Sequence, residues 1–116
     1  MPHLLRNKFF CSAFVLIASM FGPSSPAALA GEDESLERGR QLYLEGTQPQ
    51  CGVCHTLEEA GTSGGIGPNL DNLQPTEEAV RAAVRDGVGV MPAFSDSLSP
   101  EEIEAIASYV VSVTQD

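Results

Sequence analysis

The sequence predicts a small all-α fold of three to four helices joined by long loops, and three observations carry that prediction. Apolar residues recur at helical spacing in residues 34–46, 76–86 and 99–113. Between them lie Gly-, Pro- and Asn-rich stretches with no sustained period, residues 56–75 above all. Nothing reads as a paired set of strands.

Residues 1–30 are set aside first, because they read as a secretory signal peptide. Arg6 and Lys8 supply a positive start, and Phe9 to Phe21 form an apolar run broken only by Ser12 and Ser19. Gly22-Pro23 ends the run, and Ala28-Leu29-Ala30 is a small-x-small cleavage signal. The run is shorter than the roughly 20 residues that cross a bilayer, so no permanent membrane anchor is expected. Cleavage near Ala30 leaves residues 31–116 as one exported domain, periplasmic if the source is a Gram-negative bacterium.

Charge excludes one class of partner. All sixteen Asp and Glu follow residue 31, against only Arg38, Arg40, Arg81 and Arg85, and no lysine lies beyond Lys8. A nucleic-acid partner needs a basic surface, so none is expected. An acidic surface serves solubility or steers a basic partner.

The first helix is expected over residues 34–46, after a short acidic leader Gly31-Glu32-Asp33. Leu36, Gly39 and Tyr43 share one face, and a glycine there makes sense where another backbone approaches closely. Residues 56–75 read as a long loop wrapped around something, since loops of that length are uncommon in compact domains. No Lys-Ser/Thr follows its glycines, which argues against a phosphate loop. Thr76 caps a second helix that carries Ala79, Val80, Ala83 and Val84 and ends at Gly87. "VGVMPAF" then runs as an extended segment in which Pro92 blocks helix. Ser99, Pro100 and Glu102 form a capping box with proline at the first helical position. Ile103, Ile106, Ala107, Val110 and Val113 give that helix its apolar face, with Tyr109 at the edge.

With the signal removed, Cys51, Cys54, His55 and Met91 are the whole stock of cysteine, histidine and methionine. A disulfide across a two-residue gap would constrain almost nothing. Structural zinc wants four ligands, and the chain offers three from Cys and His, so a carboxylate would have to complete the set. A redox dithiol of the thioredoxin kind sits in a β-α-β framework that the pattern lacks. A Ser-His-Asp or Cys-His hydrolase could borrow His55 but leaves Met91 without a part. Haem c uses every member. The cysteines would form thioethers with the porphyrin, and His55 would bind the iron on one face. Met91 would bind on the other, a known haem pairing. Against that stands the usual role of a lone methionine as core filler.

Four stretches resemble the small class I c-type cytochromes, and the resemblance covers residues 34–113. "CGVCH" is similar to the attachment motif, "GPNL" at 67–70 to the loop after it, and "MPAF" at 91–94 to the methionine segment. Gly39 and Tyr43 facing Ile106 and Tyr109 resemble the family's crossing of first and last helices. The resemblance implies a small cytochrome c fold wrapped around one covalently attached haem. It also implies that the Pro68 carbonyl accepts the Nδ1 hydrogen of His55, and that Leu70, Pro92 and Phe94 pack the ring. The sequence departs from the pattern in having no Trp and a short segment after Leu70, so the propionate clamp does not carry over by position. Arg85, Asn69 and Asn72 are candidates by donor chemistry.

Two axial ligands leave the iron no open position, which suits passing one electron rather than enzymatic turnover. The expected function is a periplasmic electron carrier. Its partners would be redox proteins, a donor dehydrogenase or acceptor oxidase with a basic or apolar docking patch. Gly64, Gly65, Ile66, Val88, Val90, Ala93 and Phe94 are expected to frame the exposed edge of the ring. The alternative is a haem subunit of a periplasmic dehydrogenase of the sulfite- or alcohol-oxidising type, which the same stretches also resemble. A haem peroxidase or gas sensor would require displacement of Met91.

Overall fold

The computed structural model describes residues 27–115. Residues 1–26, most of the expected signal peptide, lie outside them. Seven elements follow in order: α1 (Ala27–Glu45), α2 (Cys51–Cys54), β1 (Thr56–Leu57), β2 (Thr62–Ser63), α3 (Leu70–Leu73), α4 (Glu77–Asp86) and α5 (Pro100–Thr114). Three helices of more than two turns and two single turns make the mostly helical architecture that the sequence predicts.

The core forms where α1 crosses α5. Gly39 is buried at the crossing, and a Cβ on it would run into the backbone carbonyl of Ala105 and come within 2.7 Å of Tyr109 Cβ. The glycine therefore lets two helix backbones approach where any side chain would hold them apart. One turn on, the Tyr43 and Tyr109 rings meet edge to face with centroids 6.0 Å apart and planes at 62°. Leu42, Leu57, Val84, Phe94, Leu98, Ile103, Ile106 and Val110 close the same core. Burying each large aliphatic or aromatic side chain of this kind contributes about 1.5–3 kcal/mol before entropy is counted.

The helix ends follow the sequence. Ser99 Oγ accepts from the Glu102 amide at 3.1 Å, and Glu102 Oε2 accepts from the Ser99 amide at 3.0 Å, with Pro100 opening α5. Thr76 Oγ1 accepts from the Ala79 amide at 3.2 Å, and the Gly87 amide closes α4 on Ala83. Gln74 Nε2 donates to the Thr114 carbonyl at 2.8 Å and Gln115 Nε2 to the Pro75 carbonyl at 2.9 Å. These two bonds sew the end of α5 to the α3–α4 link.

Four details differ from the sequence reading. The first helix starts at Ala27 rather than near residue 34, so the acidic leader is helical. The Ala-Ala-Leu-Ala start is made of strong helix formers, and it carries the helix through the expected cleavage position. The loop 56–75 contains the one-turn α3 and a two-stranded antiparallel ladder, Thr56 opposite Ser63 and Leu57 opposite Thr62. Strands of two residues are too short to show a period. "VGVM" is not extended: Val88 and Met91 exchange both backbone hydrogen bonds, at 3.1 and 2.9 Å, around a reverse turn at Gly89-Val90. That closed pair outweighs the β preference of the two valines. Tyr109 lies in the core at 2% exposure rather than at the helix edge, because α1 covers it.

Candidate functional site

Cys51 to Cys54 form the single turn α2, which places both sulfurs on one side of the backbone with His55 following. The two sulfurs are free thiols and both are partly buried. Burial pushes the Cys51 thiol pKa up, partly offset by Thr47, whose hydroxyl oxygen lies 3.9 Å from the sulfur. Among the described residues no three His, Cys, Asp or Glu side chains gather as a metal-ion cluster.

The loop that follows grips this turn. The Gly67 amide donates to the Cys54 carbonyl at 2.7 Å and the Gly64 amide to the His55 carbonyl at 3.3 Å. Thr56 Oγ1 donates to the Gly64 carbonyl at 3.1 Å. Gly67 lies against the His55 ring, where a Cβ would sit 2.6 Å from Cε1. One residue further, the Pro68 carbonyl stands 2.8 Å from His55 Nδ1. A carbonyl can only accept, so Nδ1 carries the hydrogen and Nε2 keeps its lone pair for a metal.

The structure thus brings Cys51, Cys54, His55 and Pro68 together. Met91 stands in the separate turn after α4, partly buried against the core. Leu70 is also partly buried against the core, while Pro92 is exposed. Phe94 is 7% exposed and belongs to the core, with its amide donating to Val84 at 2.8 Å. It is therefore not part of an exposed frame, being buried in the core cluster with Val84 and Leu98. Arg85 is paired with Asp86 at 2.8 Å, and Asn69 Oδ1 caps α3 by accepting from the Asn72 amide at 3.1 Å.

Large apolar side chains stand exposed in these same segments of chain and in α3. Val53, Ile66, Leu73, Val88 and Val90 are between 54% and 87% exposed. Residues 46–57, 60–70 and 87–95 contain no Asp, Glu, Lys or Arg. Each of the four arginines among the described residues is in an ion pair: Arg38 with Glu102, Arg40 with Glu59, Arg81 with Glu77 and Glu104, and Arg85 with Asp86. Two thiols free of any disulfide, followed directly by an imidazole, are the groups to which a covalently held haem can be attached.

Sequence reasoning missed Glu59, Arg40, Thr62 and the two tyrosine hydroxyls. Tyr109 donates to Glu59 Oε2, Arg40 Nε donates to Glu59 Oε1 at 3.2 Å, and the Tyr43 hydroxyl lies 3.3 Å from Thr62 Oγ1. No local pattern links residues so far apart in the chain.

The family model described as cytochrome C oxidase, cbb3-type, subunit III matches residues 34–110. The chain belongs to this cytochrome c family. As a cytochrome c it carries covalently attached haem c. The cytochrome is 37% identical to cytochrome c550 of Pseudomonas aeruginosa over 95 residues, which cover 75% of this chain and 61% of that protein. It is 31% identical to the quinohemoprotein alcohol dehydrogenase ADH-IIG of Pseudomonas putida over 94 residues, 78% of this chain but 12% of the dehydrogenase. The cytochrome therefore spans less than two thirds of either relative. Among solved structures, the c-type cytochrome SorU from Sinorhizobium meliloti superposes with a TM-score of 0.68 at 49% identity, covering 71% of this chain and 93% of that one. Among the described residues of the cytochrome, no helix is long and apolar enough to cross a membrane.

Proposed function

We propose that this cytochrome is a one-electron carrier of the periplasm, with haem bonded to Cys51 and Cys54 and its iron held by His55 and Met91. The hydrogen bond from His55 Nδ1 to the Pro68 carbonyl carries the reading, because it fixes the tautomer that leaves Nε2 as ligand. Once bound, haem supplies a single-electron exchange between ferrous and ferric iron. His55 and Met91 would hold the iron, and the chain around them would shield it from water. Gly67 lets the peptide lie on the imidazole and Pro68 orients it, while Met91, in the closed turn Val88–Met91, would offer its thioether. Leu70, Phe94 and Pro92 would pack around the ring. Residues 1–30 would be removed on export, leaving residues 31–116 as the monohaem domain.

The docking face in this reading is the uncharged surface around Ile66, Val88 and Val90, and the partner is a redox protein with an apolar patch. A second reading, a haem subunit of a dehydrogenase, is favoured by the match to a quinohemoprotein alcohol dehydrogenase. Co-elution with the partner on gel filtration of a dilute sample would favour the subunit, and separate elution the carrier.

Denaturing extraction of the exported protein tests the site. Haem is expected to stay with the wild-type polypeptide and to be lost from Cys51→Ala/Cys54→Ala. Met91→Leu is expected to abolish the methionine-to-iron charge-transfer band and lower the reduction potential. Extractable haem, or a band that survives Met91→Leu, would overturn the assignment.

A further inference from the structure

Glu59 belongs to none of the sequence motifs, yet it joins three elements beside the attachment turn. It lies in the turn between β1 and β2, where the Gly61 amide donates to the Glu58 carbonyl at 2.9 Å. Its Oε1 accepts from Arg40 of α1 at 3.2 Å, and its Oε2 accepts from the hydroxyl of Tyr109 of α5. Tyr109 packs edge-on against Tyr43, and the Tyr43 hydroxyl reaches Thr62 of β2. Thr62 Oγ1 accepts from the Leu57 amide at 3.1 Å, and its side chain packs directly on Gly52 within α2. On the other flank, the Glu58 amide donates to Asp71 Oδ2 at 2.9 Å.

We propose that Glu59 is a positioning residue for the Cys51–His55 turn: it ties the hairpin, and through Thr62 the turn itself, to the crossing of α1 and α5. Its relevance to haem rests on the reading of that turn given above, while its action as a tie does not. Of its two bonds, the one from Tyr109 is the stronger. Arg40 and Glu59 have side chains 37% and 43% exposed, and ion pairs so placed contribute little. Tyr109 is buried, and a hydrogen bond from a buried phenol to a charged acceptor is worth more. Burial and then the Glu59 carboxylate raise the Tyr109 pKa well above its ordinary value, so the phenol keeps the hydrogen it donates.

The two bonds that close the following loop on the turn, Gly64 to His55 and Gly67 to Cys54, report whether the tie holds. Amide hydrogen exchange on the reduced holoprotein reads them directly. Glu59→Ala is expected to speed exchange at Gly64 and Gly67 by about tenfold, the effect of losing one hydrogen bond to a charged acceptor. Exchange at Gly87 and Ile103, whose amides bond within the α4 and α5 caps, is expected to stay at the wild-type rate. Glu59→Gln keeps a neutral acceptor for Tyr109 and is expected to fall between the two, about threefold above wild type. The proposal is overturned by unchanged rates at Gly64 and Gly67, by an equal rise at Gly87 and Ile103, or by Glu59→Gln behaving as Glu59→Ala. Haem retention by the wild type after denaturation decides the site reading separately, since the exchange comparison holds whether or not that reading does.

Discussion

Gly67 lies against the imidazole of His55 so closely that a methyl group on its Cα would come within 2.6 Å of Cε1 and 2.9 Å of Nδ1. The next residue, Pro68, supplies the carbonyl that accepts from Nδ1 at 2.8 Å. Gly67→Ala is therefore expected to push the ring off that carbonyl. Overpacking of this kind costs about 1–3 kcal/mol. The variant is expected to show a perturbed axial-ligand spectrum together with that loss in denaturant titration. A wild-type spectrum with unchanged stability would contradict the close packing.

Gly39→Ala tests the helix crossing instead. The added carbon meets the Ala105 backbone, which cannot swing away as a side chain could. A loss of about 1–3 kcal/mol is expected in guanidinium unfolding, with little change in the visible spectrum. A change below about 0.5 kcal/mol would place the residue among ordinary surface positions and refute the crossing.

Alkaline pH acts through the buried tyrosines. Burial, before any other cause, raises the Tyr43 pKa from 10.0 to about 12. The Thr62 hydroxyl opposes the rise, while Cys51 and Asp71 add to it. The unfolded chain releases the phenolic proton first, so the stability that the neutral ring contributes is whole below pH 10 and is lost as pH rises to about 12. Tyr109 is shifted the same way by burial and Glu59. Unfolding free energies measured across that window are expected to fall in the wild type and to fall less steeply in Tyr43→Phe. An equal slope in both would show that Tyr43 is not the group responsible.

The uncharged face is expected to govern electron transfer. Val90 is 87% and Ile66 68% exposed, while the N-terminal half of α5 carries exposed Glu101 and Glu104. Val90→Ser and Ile66→Ser are each expected to slow reduction by the physiological partner by about tenfold, the size of a modest interface truncation. Glu101→Gln and Glu104→Gln are expected to leave it within about twofold. Stopped-flow rates that rank the other way would move docking to the acidic helix. A steep salt dependence would do the same.

How much of this was legible in the sequence depended on the range of each contact. Ser99, Pro100 and Glu102 announced the start of α5 because a capping box is made within three residues. The Cys51–His55 motif and the buried glycine at position 39 were legible for the same local reasons. The start of α1 was not, because a cleavage signal and a helix both favour alanine and leucine. The strands β1 and β2 are too short to show alternation, and the turn at Val88–Met91 reads as a plain apolar run until its hydrogen bonds are seen. Glu59 was invisible for a further reason. Its hydroxyl donor is fifty residues away, and only the packing of α1 on α5 brings the two together.

The four arginines beyond residue 31 carry one more implication. Each guanidinium is already held by a carboxylate, and no lysine lies beyond Lys8. Amine-directed labels and crosslinkers therefore find no side chain to react with between residues 31 and 116. One lysine introduced at an exposed acid, Glu78→Lys on α4 for example, becomes the only side-chain amine in that region. A dye or an electrode surface could then be joined there in one orientation, with the apolar, charge-free loops chemically untouched.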